Sequence, residues 1–299
     1  MRPRLLCFLS AGLLTALLPV AMRAQVVLIN DSFTDGTRLD GADPQDTSWF
    51  MSHPDLNLGG TAPTIGTDNN TPLSGNALGF SGTSTFAYGI GAFASTTLSA
   101  PGASITISMD FAVQGSTSAG ALSGPILGLF GNGGTPLGND INSITGQATH
   151  NDAGYELIYE RGISGNLFLV PIDNSTFTSD FAYGTRTPAL SWALGLVTSD
   201  TGGHTMSLTL TLAPNGIDLI VVPKLDSYVG SAQTLSGASV LTTVFNEALV
   251  STWSGSGSGA VDNISVVTAV PEPSTYAALT GALALGWAAW RRRIARGCA

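Results

Sequence analysis

In Ile105-Thr106-Ile107-Ser108-Met109-Asp110-Phe111-Ala112-Val113 every second side chain is large and apolar. An extended chain sends successive side chains to opposite faces, so this stretch reads as a strand with one buried and one wet face. Met206-Ser207-Leu208-Thr209-Leu210-Thr211-Leu212 repeats the pattern, and Pro214-Asn215-Gly216 then leads into the apolar run Ile217 to Val222. Asn-Gly between two such runs predicts a tight hairpin, both turn residues taking positive φ. Further strands are expected over 26–33, 48–52, 86–98, 126–130, 155–161, 167–172, 190–198, 241–252 and 261–268. Gly, Ser, Thr, Asn and Asp fill the intervals, and 59–75, 131–151 and 254–259 read as long polar loops. No amphipathic helix competes for the core.

About a dozen antiparallel strands, each with a wet face, define an all-β domain built as a two-sheet sandwich. A jelly roll is the expected form, similar to legume-lectin (concanavalin), laminin-G and carbohydrate-binding modules; the similarity is one of fold pattern alone. The body opens on Asn30-Asp31-Ser32-Phe33 and closes on Asp262-Asn263-Ile264-Ser265-Val266. Pairing these first and last strands would close the sandwich, and the domain is expected to occupy 25–268.

Both ends of the chain differ from this body. Arg2 and Arg4 precede an apolar run from Leu5 to Val20, followed by Ala21-Met22-Arg23-Ala24-Gln25. This reads as a secretory signal peptide over 1–24, cut between Ala24 and Gln25; an uncleaved anchor is the alternative. At the other end stand Pro271-Glu272-Pro273-Ser274, an apolar run from Tyr276 to Trp290, and Arg291-Arg292-Arg293. A hydrophobic helix over 275–290 with a basic tail reads as a stop-transfer element, because positive residues stay on the cytoplasmic face. Fifteen residues make a helix of roughly 22 Å, short of the roughly 30 Å hydrocarbon core. Snorkelling arginines extend it. So short a span suits a temporary anchor, with an ordinary single-pass anchor as the alternative.

Motif, helix and basic cluster in this order resemble the PEP-CTERM sorting signal of Gram-negative bacteria, over residues 270–296. The resemblance implies that Val270-Pro271-Glu272-Pro273-Ser274 is read by exosortase, a membrane-embedded protease-transpeptidase. It implies a cut near the motif and delivery of the body to the cell surface or an extracellular polysaccharide matrix. Bodies carried by such tails are diverse, so the resemblance implies a destination and not an activity.

Composition narrows the partners. The two cysteines, Cys7 and Cys298, both lie in the terminal segments, leaving 25–270 without a thiol. A body of this length buries enough apolar surface without disulfides. It holds four basic residues (Arg38, Arg161, Arg186 and Lys224) against nineteen acidic ones, a net charge of −15. Nucleic acid and anionic lipid need a basic patch and are excluded as partners of the body. Neutral polymers, divalent cations and basic partners stay open.

Catalytic signatures are scarce. No Gly-x-Ser-x-Gly elbow occurs. Gly255-Ser256-Gly257-Ser258-Gly259-Ala260 enters a strand where a dinucleotide fingerprint must enter a helix. His53, His150 and His204 stand far apart without zinc-ligand spacing and read as surface histidines. The enzymatic candidate is the pair Glu156 and Glu160. Four residues along a strand span roughly 13 Å, whereas paired glycosidase carboxylates sit about 5 to 9.5 Å apart. The Glu-x-Asp-x-x-Glu pattern of laminarinase-like enzymes has Ile158 at its Asp position. Two solvated glutamates on a wet face explain the pair better, and the body is read as no enzyme.

Binding residues are the remaining candidates. Trp49-Phe50, Trp192, Trp253, Tyr155, Tyr159, Tyr183 and Tyr228 offer flat apolar faces for sugar rings. Trp49-Phe50 reads as a core plug and Trp192 as buried, which leaves Trp253, beside the glycine loop, as the aromatic for sugar contact. Calcium takes hard oxygen ligands, and Asp31, Asp35, Asp262 and Asn263, near the paired terminal strands, are its nominees. Asp68-Asn69-Asn70 is a second acidic stretch, though Asp and Asn are ordinary turn formers. The expected protein is an exported, non-catalytic sandwich in the cell envelope, at the cell surface or in the extracellular matrix. Its expected work is adhesion to, or structural contact with, extracellular polysaccharide through a wet surface of Thr, Ser, Asn and Gly. A secreted glycoside hydrolase on the same scaffold is the alternative.

Overall fold

Alternating apolar and small polar residues produce sixteen strands among the residues described by the computed structural model. Those residues are 23–39, 45–52, 64–66, 73, 75–81, 88–114, 124–132, 152–160, 165–173, 187–194, 202–252 and 258–271, with 281, 284, 286, 287, 290 and 291. The strands are β1 (Arg23–Asp31), β2 (Trp49–Ser52), β3 (Thr64–Gly66), β4 (Ala77–Ser81), β5 (Tyr88–Thr97), β6 (Ser104–Gln114), β7 (Pro125–Asn132) and β8 (Asp152–Tyr159). They continue with β9 (Asn166–Asp173), β10 (Leu190–Ala193), β11 (His204–Leu212), β12 (Leu219–Leu225), β13 (Tyr228–Val229), β14 (Gln233–Leu235), β15 (Val244–Thr252) and β16 (Ser258–Pro271).

Nine strands form one sheet in the order β13-β12-β11-β6-β16-β4-β3, with β1 beside β16 and β14 beside β12. Seven form the other, β10-β9-β8-β7-β15-β5-β2. The late strands β15 and β16 slot between early ones, β15 between β7 and β5 and β16 between β6 and β4. That interleaving is the weave of a jelly roll. First and last strands pair, as the sequence led us to expect. The chain divides into two compact units: 25–269, which holds the sandwich, and 1–24 together with 270–299.

The expected alternation sets the inner face. Ile105, Ile107, Met109 and Phe111 of β6 and Met206, Leu208 and Leu210 of β11 meet Leu127, Leu129, Tyr155, Leu157 and Leu169 of the opposite sheet in one buried cluster. Each side chain buried this way stabilises by about 1.5–3 kcal/mol relative to exposure.

The hairpin after β11 forms, but with a wider turn than expected. Ala213 N donates to Asp218 O at 2.8 Å, and Gly216 N donates to Ala213 O at 2.9 Å. Gly216 takes positive φ (72°) whereas Asn215 does not. Instead Asn215 Oδ1 accepts from Ile217 N and Asp218 N, both at 3.0 Å. The asparagine side chain, not its backbone, makes this turn. β3 lies inside a segment read as loop, and β4, β13 and β14 had no counterpart among the expected strands.

A second correction concerns the seven-stranded sheet, which has no wet face at its centre. Ile126, Phe130, Ile158, Val170, Ile172, Ile90 and Leu249 form a second buried cluster on the side facing away from the first. The strand β8 is buried along nearly its whole length. Glu156 and Glu160 are therefore not solvated: they are 0 % and 6 % exposed. Phe130 fills this outer face where glycines leave room. A Cβ on Gly154 would meet Phe130 Cδ1 at 2.5 Å and Leu129 O at 2.3 Å, and one on Gly128 would meet Phe130 Cε2 at 2.7 Å.

In the second unit, Gly281, Ala284, Gly286, Trp287, Trp290 and Arg291 are helical. The Arg291 guanidinium carbon lies 4.7 Å from the centre of the Trp287 ring. Among the described residues no helix is long and apolar enough to cross a membrane. The expected signal peptide lies outside the described residues except at its last two positions, and so does most of the sorting tail.

Candidate functional site

The wet surface sits on the outer face of the nine-stranded sheet. Alternation turns Thr106, Ser108 and Asp110 of β6, Thr205, Ser207 and Thr209 of β11 and Asp262 and Ser265 of β16 outward, and register lines them up across strands. Ser207 stands opposite Ser108, which stands opposite Ser265; Thr209 stands opposite Thr106; Thr205 stands opposite Asp110, which stands opposite Asp262. The Thr106 and Thr209 hydroxyls hydrogen-bond at 2.9 Å. Rows lie roughly 4.8 Å apart between strands, with about 6.8 Å between successive outward residues of one strand. The result is a patch of Ser and Thr hydroxyls, each able to donate and to accept, bordered on β16 by Val267 opposite Thr106 and at one end by Asp110 and Asp262.

At one end of this field the strands leave a polar cleft of about 220 Å³ whose lining includes Asp110, His204, Thr205, Asp262 and Asn263. A β-bulge builds it. Asp262 pairs with Asp110 and Ser265 with Ser108, so β16 carries one residue more than β6 there. The extra residue puts Asn263 at φ 49°, a left-handed conformation that asparagine tolerates. Asn263 Nδ2 consequently reaches Asp110 Oδ2 at 2.8 Å. Asp110 Oδ1 accepts from the Thr205 hydroxyl at 2.5 Å. Asp262 Oδ1 accepts from Asn263 N at 2.7 Å. Asp262 is 5 % exposed. Burial pushes its carboxyl above the ordinary range; the Asn263 N–H opposes this and the Asp110 charge adds to it.

His204 forms one wall. Its Nδ1 lies 2.8 Å from Asp226 Oδ2, and its ring packs 5.5 Å from Phe111. Asp226 Oδ1 also accepts from Thr205 N at 2.9 Å, joining the start of β11 to the end of β12. A smaller cleft of about 100 Å³ includes Tyr159, Leu225 and Tyr228 beside the same histidine. In the sequence Asp110, Thr205 and Asp226 look like ordinary polar positions and His204 like a lone surface histidine, yet the His204 ring is half-buried and partnered.

The calcium nominees are brought together only in part. Asp262 and Asn263 share the cleft with Asp110, whereas Asp31 turns to the interior. Its Oδ1 accepts from Phe33 N at 2.9 Å and its Oδ2 from Trp49 Nε1 at 2.7 Å. Burial raises its carboxyl; Phe33 N–H and the Trp49 indole oppose this, and Asp35 and Asp262 add to it. Asp35 holds an exposed turn, accepting from Thr37 N at 3.1 Å. Among the described residues no group of three or more His, Cys, Asp or Glu could hold a metal ion. Asp68, Asn69 and Asn70 lie outside them.

Of the six described aromatics weighed for sugar contact, four are interior and Phe50 and Tyr228 are half-buried. Trp49, Tyr155, Tyr159 and Trp192 are buried, the two tryptophans as the sequence suggested. Trp192 Nε1 donates to Ser231 O at 2.7 Å. Tyr228 is half-buried at the smaller cleft; Trp253 and Tyr183 lie outside the described residues, as do His53 and His150. Ala24 and Gln25 are exposed on β1. Pro271 ends β16, while Glu272, Pro273, Ser274, Arg292 and Arg293 lie outside the described residues.

No protein-family model matches the chain, and no curated protein matches it. Among solved structures it is similar to a Bacillus subtilis protein of unknown function with a galectin-like fold, at TM-score 0.48 and 12 % identity, covering 84 % of this chain and all of that one. It is similar to the carbohydrate esterase vb_24B_21 of the Shiga toxin-encoding bacteriophage phi24B, at 0.45 and 16 %, covering 83 % and 100 %. It is also similar to winged bean acidic lectin in complex with methyl-α-D-galactose, at 0.44 and 9 %, covering 84 % and 100 %.

Proposed function

We propose that this chain is an exported, non-catalytic protein that contacts neutral extracellular polysaccharide through the outer face of its nine-stranded sheet. The hydroxyl field on β11, β6 and β16 carries this reading. Its Ser207–Ser108–Ser265 and Thr209–Thr106 rows offer donors and acceptors without fixed charge of their own, which suits the hydroxyls of an uncharged glycan. The acidic balance of the body supports it by excluding polyanions. The tripartite tail supports sorting by exosortase to the envelope, cell surface or matrix, with transient anchoring in the inner membrane.

The test removes the hydroxyls and keeps the fold. Thr106→Val and Thr209→Val with Ser108→Ala should leave the melting temperature within a few degrees and weaken retardation on a neutral dextran or galactan gel several-fold. Unchanged retardation sinks the assigned face. For sorting, a chain ending at residue 270 should lose its surface or matrix fraction; unchanged distribution sinks the tail's role.

A further inference from the structure

We propose that the smaller cleft beside His204 takes one edge of a sugar ring from a neutral glycan, with His204 Nε2 accepting from a sugar hydroxyl. This deepens the polysaccharide reading and rests on it. His204 opens β11 in the inward register, opposite Phe111 of β6, while its neighbour Thr205 stands opposite Asp110 on the outer face. Phe111 in turn packs 6.4 Å from Tyr159 of the seven-stranded sheet, so the histidine lies between the sheets. Its side chain is 14 % exposed. Nδ1 is engaged by Asp226 Oδ2 at 2.8 Å. A carboxylate only accepts, so Nδ1 donates and the neutral ring keeps its lone pair on Nε2. Nε2 is buried and has no hydrogen-bond partner among the described residues. A covered acceptor in this state costs stability that an incoming donor restores.

The cleft gives that donor a place. It measures about 100 Å³, and its lining includes Tyr159, Leu194, Leu225 and Tyr228 with the histidine. That is room for about three waters, or for one edge of a ring and not a continuous chain. The half-buried Tyr228 and the leucines present apolar surface on which a pyranose face packs. The acid in the lining, Asp226, is taken up by His204 and by Thr205 N, and among the described residues no Lys or Arg lines the cleft. An uncharged ligand therefore leaves no charge unanswered. His204 also lines the polar cleft, so this site and the hydroxyl patch meet at the start of β11.

Calorimetric titration of the whole protein with isomaltotetraose and galactotetraose, fragments of dextran and galactan, tests this. His204→Asn keeps a donor for Asp226 and removes the acceptor, and Tyr228→Ala removes the flat face. Each should weaken the tighter-binding tetramer about tenfold. In protein carrying isotope-labelled histidine, the Nε2 resonance of His204 should move as that tetramer is added. A histidine with only a structural role would not respond, and this measurement needs no variant that must fold. Affinity unchanged in His204→Asn, or a stationary Nε2 resonance at saturation, overturns the proposal; the polysaccharide reading then stands if Thr106→Val and Thr209→Val with Ser108→Ala still weaken binding. Absence of binding of either tetramer to the unaltered protein, with no retardation on either gel, sinks both. An equal movement of the resonance with glycerol at the same concentration overturns the sugar ring as occupant.

Discussion

The indole of Trp49 donates to Asp31 across the two sheets. Nε1 and Oδ2 are 2.7 Å apart, with Trp49 on β2 of the seven-stranded sheet and Asp31 on β1 of the nine-stranded one. Phe33 supplies the backbone N–H to the other oxygen and packs its ring 6.4 Å from the indole. The entry of the chain into the sandwich is thus closed by one buried carboxylate with two donors.

Asp31→Ala leaves a buried indole N–H and a buried backbone N–H without their acceptor. Each lost partner costs about 1–3 kcal/mol, so denaturant unfolding should show a loss of about 2–4 kcal/mol. Trp49→Phe should cost at least as much, because a cavity adds to the lost hydrogen bond. A loss below about 0.5 kcal/mol in Asp31→Ala contradicts the latch.

Asp31 and Asp262 both bind their proton more tightly folded than unfolded, burial being the larger cause in each. Their contribution to stability is fully present below the ordinary carboxylate value of 3.8 and is lost as pH rises through the raised folded values. The melting temperature should therefore rise as pH falls from neutral toward that value, and the rise should be smaller in Asp262→Asn. Identical pH slopes in the two proteins would contradict this.

Tyr155 holds the segment before β15. Its hydroxyl accepts from Leu241 N at 2.8 Å and Thr242 N at 3.2 Å, and donates to Thr242 O at 3.0 Å. Tyr155→Phe should cost about 2 kcal/mol in unfolding free energy and speed amide exchange at Leu241 and Thr242. Unaltered exchange there means the hydroxyl is dispensable.

Gly154→Ala and Gly216→Ala separate two uses of glycine. The first drives a methyl into the Leu129 carbonyl and the Phe130 ring, and overpacking of this kind costs about 3 kcal/mol or more. The second meets no neighbour and strains only a left-handed turn, for about 1 kcal/mol. Thermal melting of the two variants should rank them in that order.

EDTA should leave the melting temperature unchanged, because the Asp31 and Asp110 oxygens are already engaged by donors within the protein. A downward shift reversed by calcium would restore the metal reading.

Much of the fold was legible because a strand's two faces are written locally. Ile105 to Val113 and Met206 to Leu212 announce inside and outside by themselves. The strand β8 did not, since in Tyr155-Glu156-Leu157-Ile158-Tyr159 both faces are buried and alternation loses its meaning. Asp262 and Asn263 stood out as a pair near the end of the body, but nothing in sequence tied them to Asp110, Thr205 or His204.

Alternation and composition decide by themselves that the body is β-structured, acidic and thiol-free, because each is a property of neighbouring residues or of a sum. Which glutamates are covered, how the first strand is latched, and where the cleft opens depend on register between strands more than 90 residues apart, such as Asp110 with Thr205 and Asp262. Only the tertiary structure decides these, since register is set by how the whole core packs and not by any stretch of chain alone.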